Sequence, residues 1–341
     1  MEKYNEELIK KDIIVSVVMP VYNEESYIEG CIKSLLNQDY KKSHMEWIFI
    51  DGESSDATVS MIKKFQSDYP NLIKLYNNPN KTVPYAMNIG ISHAVGKYII
   101  RLDAHSMYHS DYISKCVHYL ETTDADNVGG VAKTIGNGFV GHGIALMLSS
   151  KFGVGNSEFR TGGTSGYVDT VPFGAFRKEV FEKYGMYNES LTRNQDNEMN
   201  YRIRKNGGKI FLSDEIKLSY YCRDTIKGIS DMALKNGKWN VITMKLCPGS
   251  MGARHFIPLL FLSSLIIMPI LTLVIPFFGY LFALEVGLYL FLDLIFSFKA
   301  QDHLKYIPLL LILFPIFHIT YGMGSILGII EIMQKKSEVS L

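Results

Sequence analysis

An α/β domain with a mostly parallel sheet flanked by helices, followed by C-terminal transmembrane helices, is the fold class that this 341-residue sequence predicts. Three observations predict it. Short β-branched runs alternate with helical patterns through the first third of the chain, which is the rhythm of βα units. Acidic residues, Asp51 and Asp103, stand directly after two of those runs. From Phe256 to Ile330 the fixed charges are Glu285, Asp293, Lys299, Asp302 and Lys305 alone, whereas residues 1–255 carry the mixed charge of a soluble domain.

In chain order, Ile13 to Met19 is β-branched and predicts a strand, followed by a helix over Glu24 to Leu36. Trp47 to Ile50 is again strand-like and leads to a helix near Ala57 to Phe65. Leu72 to Tyr76, a helix around Tyr85 to Ala94 and the strand Tyr98 to Leu102 continue the series. Ligands on such sheets sit beyond the carboxyl ends of the strands, where Asn23, Asp51 and Asp103 all fall. Beyond Ser110 the pattern predicts a helix to Leu120, a strand over Val128 to Ala132, and a glycine-rich stretch from Gly136 to Gly166 that encloses one apolar helix, and this half of the domain is expected to carry the acceptor side. A strand over Val168 to Phe173, a helix over Arg177 to Tyr184, and a helix over Asn194 to Lys205 follow. Thr192-Arg193-Asn194-Gln195 fits a capping box at the start of the last, and Gly207-Gly208 ends it.

Between Arg223 and Arg254, six basic residues (Arg223, Lys227, Lys235, Lys238, Lys245, Arg254) oppose Asp224 and Asp231, with Trp239 among them. A basic, Trp-bearing stretch ahead of a membrane segment suggests a helix lying on anionic lipid; a solvated helix packed on the domain is the other reading. Apolar spans near 257–275, 277–298 and 306–330 are each long enough for about 30 Å of hydrocarbon. Three crossings are preferred over two. Lys299 and Lys305 then lie in a cytoplasmic loop, but Lys335-Lys336 falls outside, against the positive-inside rule. The division is residues 1–222 as the catalytic domain, 223–255 as a basic juxtamembrane segment, 256–332 as two to three transmembrane helices, and 333–341 as a tail.

Met1-Glu2-Lys3-Tyr4-Asn5-Glu6-Glu7 lacks the apolar core of a secretory signal, which places the first domain in the cytoplasm. Cys31, Cys116, Cys222 and Cys247 have neither zinc spacing nor a disulfide framework, as in a reducing compartment. A net charge of +1 argues against nucleic-acid binding.

Three acidic stations carry the chemistry. Asp51-Gly52-Glu53-Ser54-Ser55-Asp56 reads either as a helix-capping turn or as a fixed carboxylate for a base or ribose. Asp103 and His105, at a strand end where a period of two aims both the same way, read as a turn beside a surface histidine or as a two-pronged clamp for Mg²⁺ or Mn²⁺, the imidazole favouring Mn²⁺. In Gln195-Asp196-Asn197-Glu198, the carboxylates serve the helix dipole, or Asp196 is a general base. Gly136-Asn137-Gly138-Phe139-Val140-Gly141 matches a dinucleotide fingerprint, but that motif should open the first βαβ unit, and this one lies far downstream.

The segments Val17-Val18-Met19-Pro20-Val21-Tyr22-Asn23-Glu24, Asp51 to Thr58 and Arg101-Leu102-Asp103-Ala104-His105 stand in the order of a known family. Ser150-Lys151-Phe152-Gly153-Val154-Gly155, Pro172-Phe173-Gly174-Ala175-Phe176-Arg177 and Asn194 to Glu198 continue it. The chain resembles the family-2 glycosyltransferases of the GT-A fold, a Rossmann-like architecture, and within them the membrane-bound transferases of bacterial exopolysaccharide and succinoglycan assembly. The resemblance implies inverting transfer from a nucleotide-diphosphate sugar, of UDP type, to a hydroxyl of a lipid-linked saccharide of the polyprenyl pyrophosphate type. It implies that Pro20, Tyr22, Glu24 and Asp51 border the nucleotide, that Asp103 holds a divalent cation, Mn²⁺ or Mg²⁺, with His105 beside it, and that Asp196 is the base. It also implies a bacterial inner membrane location with the catalytic domain cytoplasmic. Gly52 stands where the family commonly has a second Asp, and His105 takes the last position of the usual Asp-x-Asp. A sugar-phosphate nucleotidyltransferase would need a basic, glycine-rich first loop in place of Met19 to Glu24. A processive synthase would carry Gln-x-x-Arg-Trp where this chain has Lys235-Asn236-Gly237-Lys238-Trp239, and a membrane scaffold that only binds nucleotide sugars is the non-enzyme reading.

Overall fold

The structure, a computed structural model, describes residues 13–299 and 304–338, with side-chain surroundings as far as residue 334. The expectations placed on Met1 to Glu7, on Asp302 and on the side chains of Lys335 and Lys336 lie outside the described residues.

Two compact units divide the described chain, one taking residues up to Lys133 with Gly162–Tyr220, the other Thr134–Thr161 with everything from Tyr221. In the first unit the predicted βα rhythm is present: β1 (Val15–Val21), α1 (Ile28–Leu36), β2 (Met45–Asp51), α2 (Thr58–Asp68), β3 (Ile73–Asn77), α3 (Val83–His93) and β4 (Tyr98–Arg101). Strands β1, β2 and β4 are almost wholly buried, as expected of parallel strands covered on both faces. Helix α1 buries Ile28, Cys31, Ile32 and Leu35, one face at helical spacing. Helix α3 lies so close that a Cβ on Gly90 would strike Val18 and Ile50.

The chain continues through β5 (Ser106–Tyr108), α4 (Tyr112–Thr122) and β6 (Asn127–Ile135). After the second unit's segment come β7 (Gly166–Tyr167), β8 (Ala175–Arg177), a helix at Glu179–Tyr184, a helix at Gln195–Lys205 and β9 (Ile210–Tyr221). The sheet order is β3-β2-β1-β4-β8-β6-β9-β5, with β7 on β9. Strands β1 to β4 pair in parallel, while β8 joins β4 and β6 antiparallel and β9 joins β5 and β7 antiparallel, so the sheet is mixed. The register Val21↔Asp51 and Val18↔Arg101 brings the carboxyl ends of β1, β2 and β4 to one edge.

Three local expectations are corrected. Residues 168–174 form no strand. Pro172 has no N–H to donate, and Phe173 sits at φ 49°. The helix expected from Asn194 begins at Gln195 without a capping box, because Asn194 is left-handed at φ 62° and makes no side-chain capping bond. Strand β4 ends at Arg101, so Asp103 and His105 stand in a turn. The Tyr108 hydroxyl closes that turn, accepting from the Asp103 N–H (2.8 Å) and donating to the Asp103 carbonyl (3.0 Å).

The second unit is helical: short helices at Gly138–Leu148, Lys151–Val154 and Glu158–Thr161, then Ile226–Leu246, Ile257–Thr272, Phe277–Phe298 and Ile307–Glu338. Three stretches, Ala253–Thr272, Phe277–Phe298 and Leu304–Gln334, are long and apolar enough to cross a membrane. The basic Trp239-bearing helix packs along the last one, with Gly237 against the Tyr321 carbonyl and Gly324 against the Leu234 carbonyl, leaving no space for a Cβ at either glycine.

One buried carboxylate stitches the first strands together. Glu46, 1% exposed, accepts from the Ser16 hydroxyl (2.6 Å), the Lys74 ammonium (2.5 Å) and the Val95 N–H (2.7 Å), tying β1, β2, β3 and the turn before β4. Glu46→Leu would strand those donors in an apolar layer. It should lower unfolding stability by about 3 kcal/mol, read as a drop in Tm; a change below about 0.5 kcal/mol, the range of neutral surface substitutions, would show that the network is not structural.

Candidate active site

At the carboxyl edge of β1, β2 and β4 lies a cleft of about 120 Å³, and Pro20, Tyr22, Glu24, Asp103 and His105 all line it, along with Gly52, Asn78, Lys81 and Thr82. Five of the sequence-predicted residues therefore meet in one place. Asp51 is not on the lining; its carboxylate is turned onto the Ser54 N–H (3.1 Å). Asp51 thus bonds within its own loop, while its neighbour Gly52 lines the cleft and bonds its N–H to the Val21 carbonyl (2.9 Å).

The two loops that form the cleft walls are zipped to each other. The Asn23 N–H donates to the Ser54 hydroxyl (2.9 Å), Asn23 Oδ1 accepts from the Ser55 N–H (2.8 Å), and the Glu24 N–H donates to Thr58 Oγ1 (2.7 Å). The Glu25 N–H reaches Asp56 while the Ala57 N–H returns to the Glu25 carboxylate. Asn23, Glu53 and Lys81 hold positive φ of 54°, 62° and 60°. Such backbone costs free energy and persists where surrounding bonds over-determine it, commonly at binding sites. Lys81 Nζ pairs with Glu53 Oε2 (2.8 Å), and the ring of Tyr22 stands 53% exposed.

The residue that sequence reasoning missed is Arg101. Its side chain ends β4, is 4% exposed, and bridges two carboxylates: Nη2 lies 3.2 Å from Asp103 Oδ1, and Nη1 is hydrogen-bonded to Asp196. Asp196 thus comes from far along the chain to within one guanidinium of Asp103. An arginine closing a strand of otherwise apolar residues was the available signal, since a buried cation demands anionic partners. Burial pushes the Asp196 carboxyl above its ordinary value, and the Arg101 charge acts in the opposite direction. Glu198, two residues on, is instead held by Arg202 through a two-point pair (2.9 and 2.8 Å). His105 Nδ1 lies 3.1 Å from Glu24 Oε1, and its ring meets Tyr220 edge-on. Burial also raises the Tyr108 phenol well above its usual range, which keeps the hydroxyl that clamps Asp103 protonated.

Among the described residues no group of three or more His, Cys, Asp and Glu side chains is gathered as a metal cage. Asp103 offers one oxygen to Arg101 and, among the described residues, makes no hydrogen bond through the other.

This mixed sheet with flanking helices is that of the GT-A fold. Residues 16–185 match the family model for glycosyl transferase family 2, so the chain carries a domain of that family. It is 28% identical over 325 residues to a dolichyl N-acetyl-alpha-D-glucosaminyl phosphate 3-beta-D-2,3-diacetamido-2,3-dideoxy-beta-D-glucuronosyltransferase of Methanococcus voltae, covering 93% of this chain and 97% of that one. It is 31% identical over 209 residues to the succinoglycan biosynthesis protein ExoA of Rhizobium meliloti, covering 61% and 63% of the two chains. In fold it is similar to a mannosyltransferase from Pyrobaculum calidifontis solved with GDP-Man and Mn²⁺, with a TM-score of 0.61 at 15% identity over 94% of this chain and 93% of that one.

Arg101→Met would leave Asp103 and Asp196 facing each other without a cation. The expected loss of unfolding stability is about 3 kcal/mol, at the low end for a broken buried pair because both carboxylates keep some contact with solvent. Urea unfolding measures it, and a loss under about 1 kcal/mol, the worth of an exposed pair, would mean the bridge carries no weight.

Proposed function

We propose that this glycosyltransferase moves one sugar, with inversion, from a nucleotide-diphosphate sugar of UDP type to a hydroxyl of a lipid-linked saccharide in exopolysaccharide or capsule assembly. The observation that carries the reading is the Asp103–Arg101–Asp196 bridge at the edge of the cleft. Inversion in a single displacement needs an ionised base on the acceptor hydroxyl and a means of neutralising the departing diphosphate, and these are separate stations. Asp196 is assigned as the base and Asp103 to the diphosphate side.

The residues present fit a divalent cation. Asp103 has a carboxylate oxygen without a hydrogen bond, and His105 lines the same cleft, so Asp103 with His105 beside it would hold Mn²⁺ or Mg²⁺ while diphosphate oxygens and water supply the remaining positions. Bound there, the ion neutralises the charge that develops on the leaving diphosphate. The mannosyltransferase of like fold was solved with Mn²⁺. Pro20 and the exposed Tyr22 ring would border the base, Glu24 would fix His105 through its 3.1 Å contact, and Asp51 would keep the Gly52 backbone presented to the nucleotide. Arg101 keeps the two carboxylates at a fixed separation and screens the repulsion between them.

For the acceptor, the support is the three long apolar helices together with the names of two relatives, one a succinoglycan biosynthesis protein and the other acting on a dolichyl-linked sugar phosphate. The enzyme would work at the cytoplasmic face of a bacterial inner membrane, where the basic helix Ile226–Leu246 meets lipid and anionic acceptor.

Transfer measured with a panel of nucleotide sugars and lipid-linked acceptors tests the whole reading. Chelator should abolish turnover and Mn²⁺ or Mg²⁺ restore it; Asp103→Ala should be inactive and His105→Ala less impaired, while full turnover by Asp103→Ala would refute the cation assignment. Asp196→Asn should bind donor normally yet lose on the order of a hundred-fold in kcat; if Glu198→Gln is the crippled variant instead, the base is misassigned. The pH profile carries a sign as well. A base must be ionised and burial holds this carboxyl above its usual value, so kcat/KM should rise with pH through a pKa higher than an ordinary Asp and fall below it. An acid limb at or below the ordinary Asp value would contradict the assignment.

A further inference from the structure

The last helix, Ile307–Glu338, is apolar enough to span a bilayer, yet its contacts within the second unit tie both of its ends to elements that precede every candidate span. At its start, the Tyr306 ring stacks on Phe139 (4.8 Å) and His142 (6.2 Å), and a Cβ on Gly143 would run into Leu309 and Leu313. One turn deeper, Phe152 packs edge-on against Phe314 and His318. At its far end, Gly328 is so close to the Lys238 carbonyl that a Cβ there would lie 2.6 Å from it. The Ser325 hydroxyl reaches the Gly237 carbonyl (3.3 Å), and Lys238 Nζ pairs with Glu331 at 2.5 Å.

Residues 139–152 and 234–238 all come before Ala253, where the first candidate span begins. The helix Ile226–Leu246 is itself no span, since Lys227, Asp231, Lys235, Lys238 and Lys245 are distributed along it. Both sets of contacts therefore stand on one side of the membrane. Tyr306 and Glu331 are about 38 Å apart along an α-helix, more than the roughly 30 Å of hydrocarbon. A crossing helix would carry one of those ends to the opposite face.

We propose that the C-terminal helix does not cross the membrane. The lipid-embedded surface is then the hairpin Ile257–Thr272 and Phe277–Phe298, whose Ile266, Ile270, Leu284, Leu288 and Phe291 are exposed. The apolar character of the last helix has another cause: Leu310, Leu313, Phe314 and Phe317 are buried inside the helical unit, so the helix is its core. Met323, Leu327 and Ile330, at helical spacing, form an exposed stripe suited to lying on the headgroup layer rather than passing through it. A hairpin returns the chain to the side it left, so Lys299, Lys305, Lys335 and Lys336 all fall on the side of the catalytic domain, and the positive-inside conflict disappears.

The test uses the full chain in sealed membrane vesicles of defined orientation, in a Cys247→Ser background because the other three native cysteines are buried. Leu341→Cys reports the C-terminus, and Lys41→Cys, on an exposed position of the first unit, reports the catalytic side. A membrane-impermeant maleimide should label both from the same face and neither from the other. Labelling of the Leu341→Cys protein from the face opposite to that of the Lys41→Cys protein overturns the proposal. A protease-cleavable tag after residue 341, cut from the catalytic face if the proposal holds and from the other if not, gives the same decision without any cysteine substitution.

Discussion

A single buried guanidinium organises the carboxyl edge of this protein's sheet. Arg101 ends the central strand β4, is held there by its N–H bond to the Gly174 carbonyl (3.0 Å), and offers a planar fork to two carboxylates at once. A lysine at the same place would present a point charge and could not hold two anions at a fixed spacing. Because β4 lies between parallel β1 and antiparallel β8, the fork is aimed by the sheet itself. Asp103 follows on the same chain, while Asp196 arrives on the first turn of a helix nearly a hundred residues away. Their proximity exists only because the cation lies between them, since two unscreened carboxylates would repel.

Around that bridge the cleft is rigid by over-determination. The loops after β1 and β2 have no regular structure of their own, and each satisfies the other's backbone donors through Asn23, Ser54, Thr58, Glu25 and Asp56. This allows non-glycine residues to hold left-handed backbone at Asn23, Glu53 and Lys81. A site built this way is preorganised, so a charged ligand meets fixed dipoles and charges instead of having to order them. The absence of a second Asp in the Asp51-Gly52 turn has no counterpart in local packing: a Cβ on Gly52 would meet the Lys81 carbonyl at 3.4 Å and the Val21 carbonyl at 3.5 Å, which is ordinary contact.

The segment 134–161 belongs by its packing to the helical unit, although it interrupts the sequence of the sheet domain. It leaves the sheet after β6 and returns before β7, yet it packs with the C-terminal helices, Phe152 lying among Tyr289, Phe296, Phe314 and His318. Of the glycines that resembled a dinucleotide fingerprint, two close the segment on itself, and a glycine just beyond the motif meets the last helix. Gly136 and Gly141 touch backbone to backbone, and Gly143 admits Leu309.

Read alone, the sequence determined the βα rhythm of the first unit, the strands whose ends meet at the cleft, and the presence of an apolar helical tail. Those features are written in local periodicity, which needs no partner to be read: β1, β2 and β4 are continuous apolar runs because both faces are covered. It also named five residues that share the cleft. The tertiary structure alone decided the rest. Val168 to Phe173 has a strand's composition, but Pro172 and the left-handed Phe173 break it, and a left-handed φ is not visible in a phenylalanine. Asp51 turned out to bond its own loop, a choice between solvent and backbone that composition does not record. Arg101 as a bridge required knowing that Asp196 returns to β4, a contact across 95 positions. For the last helix, hydropathy is the same for a membrane span and a protein core, because lipid and buried side chains are equally apolar solvents; the contacts of Tyr306 and Glu331 are what the proposed one-sided placement rests on.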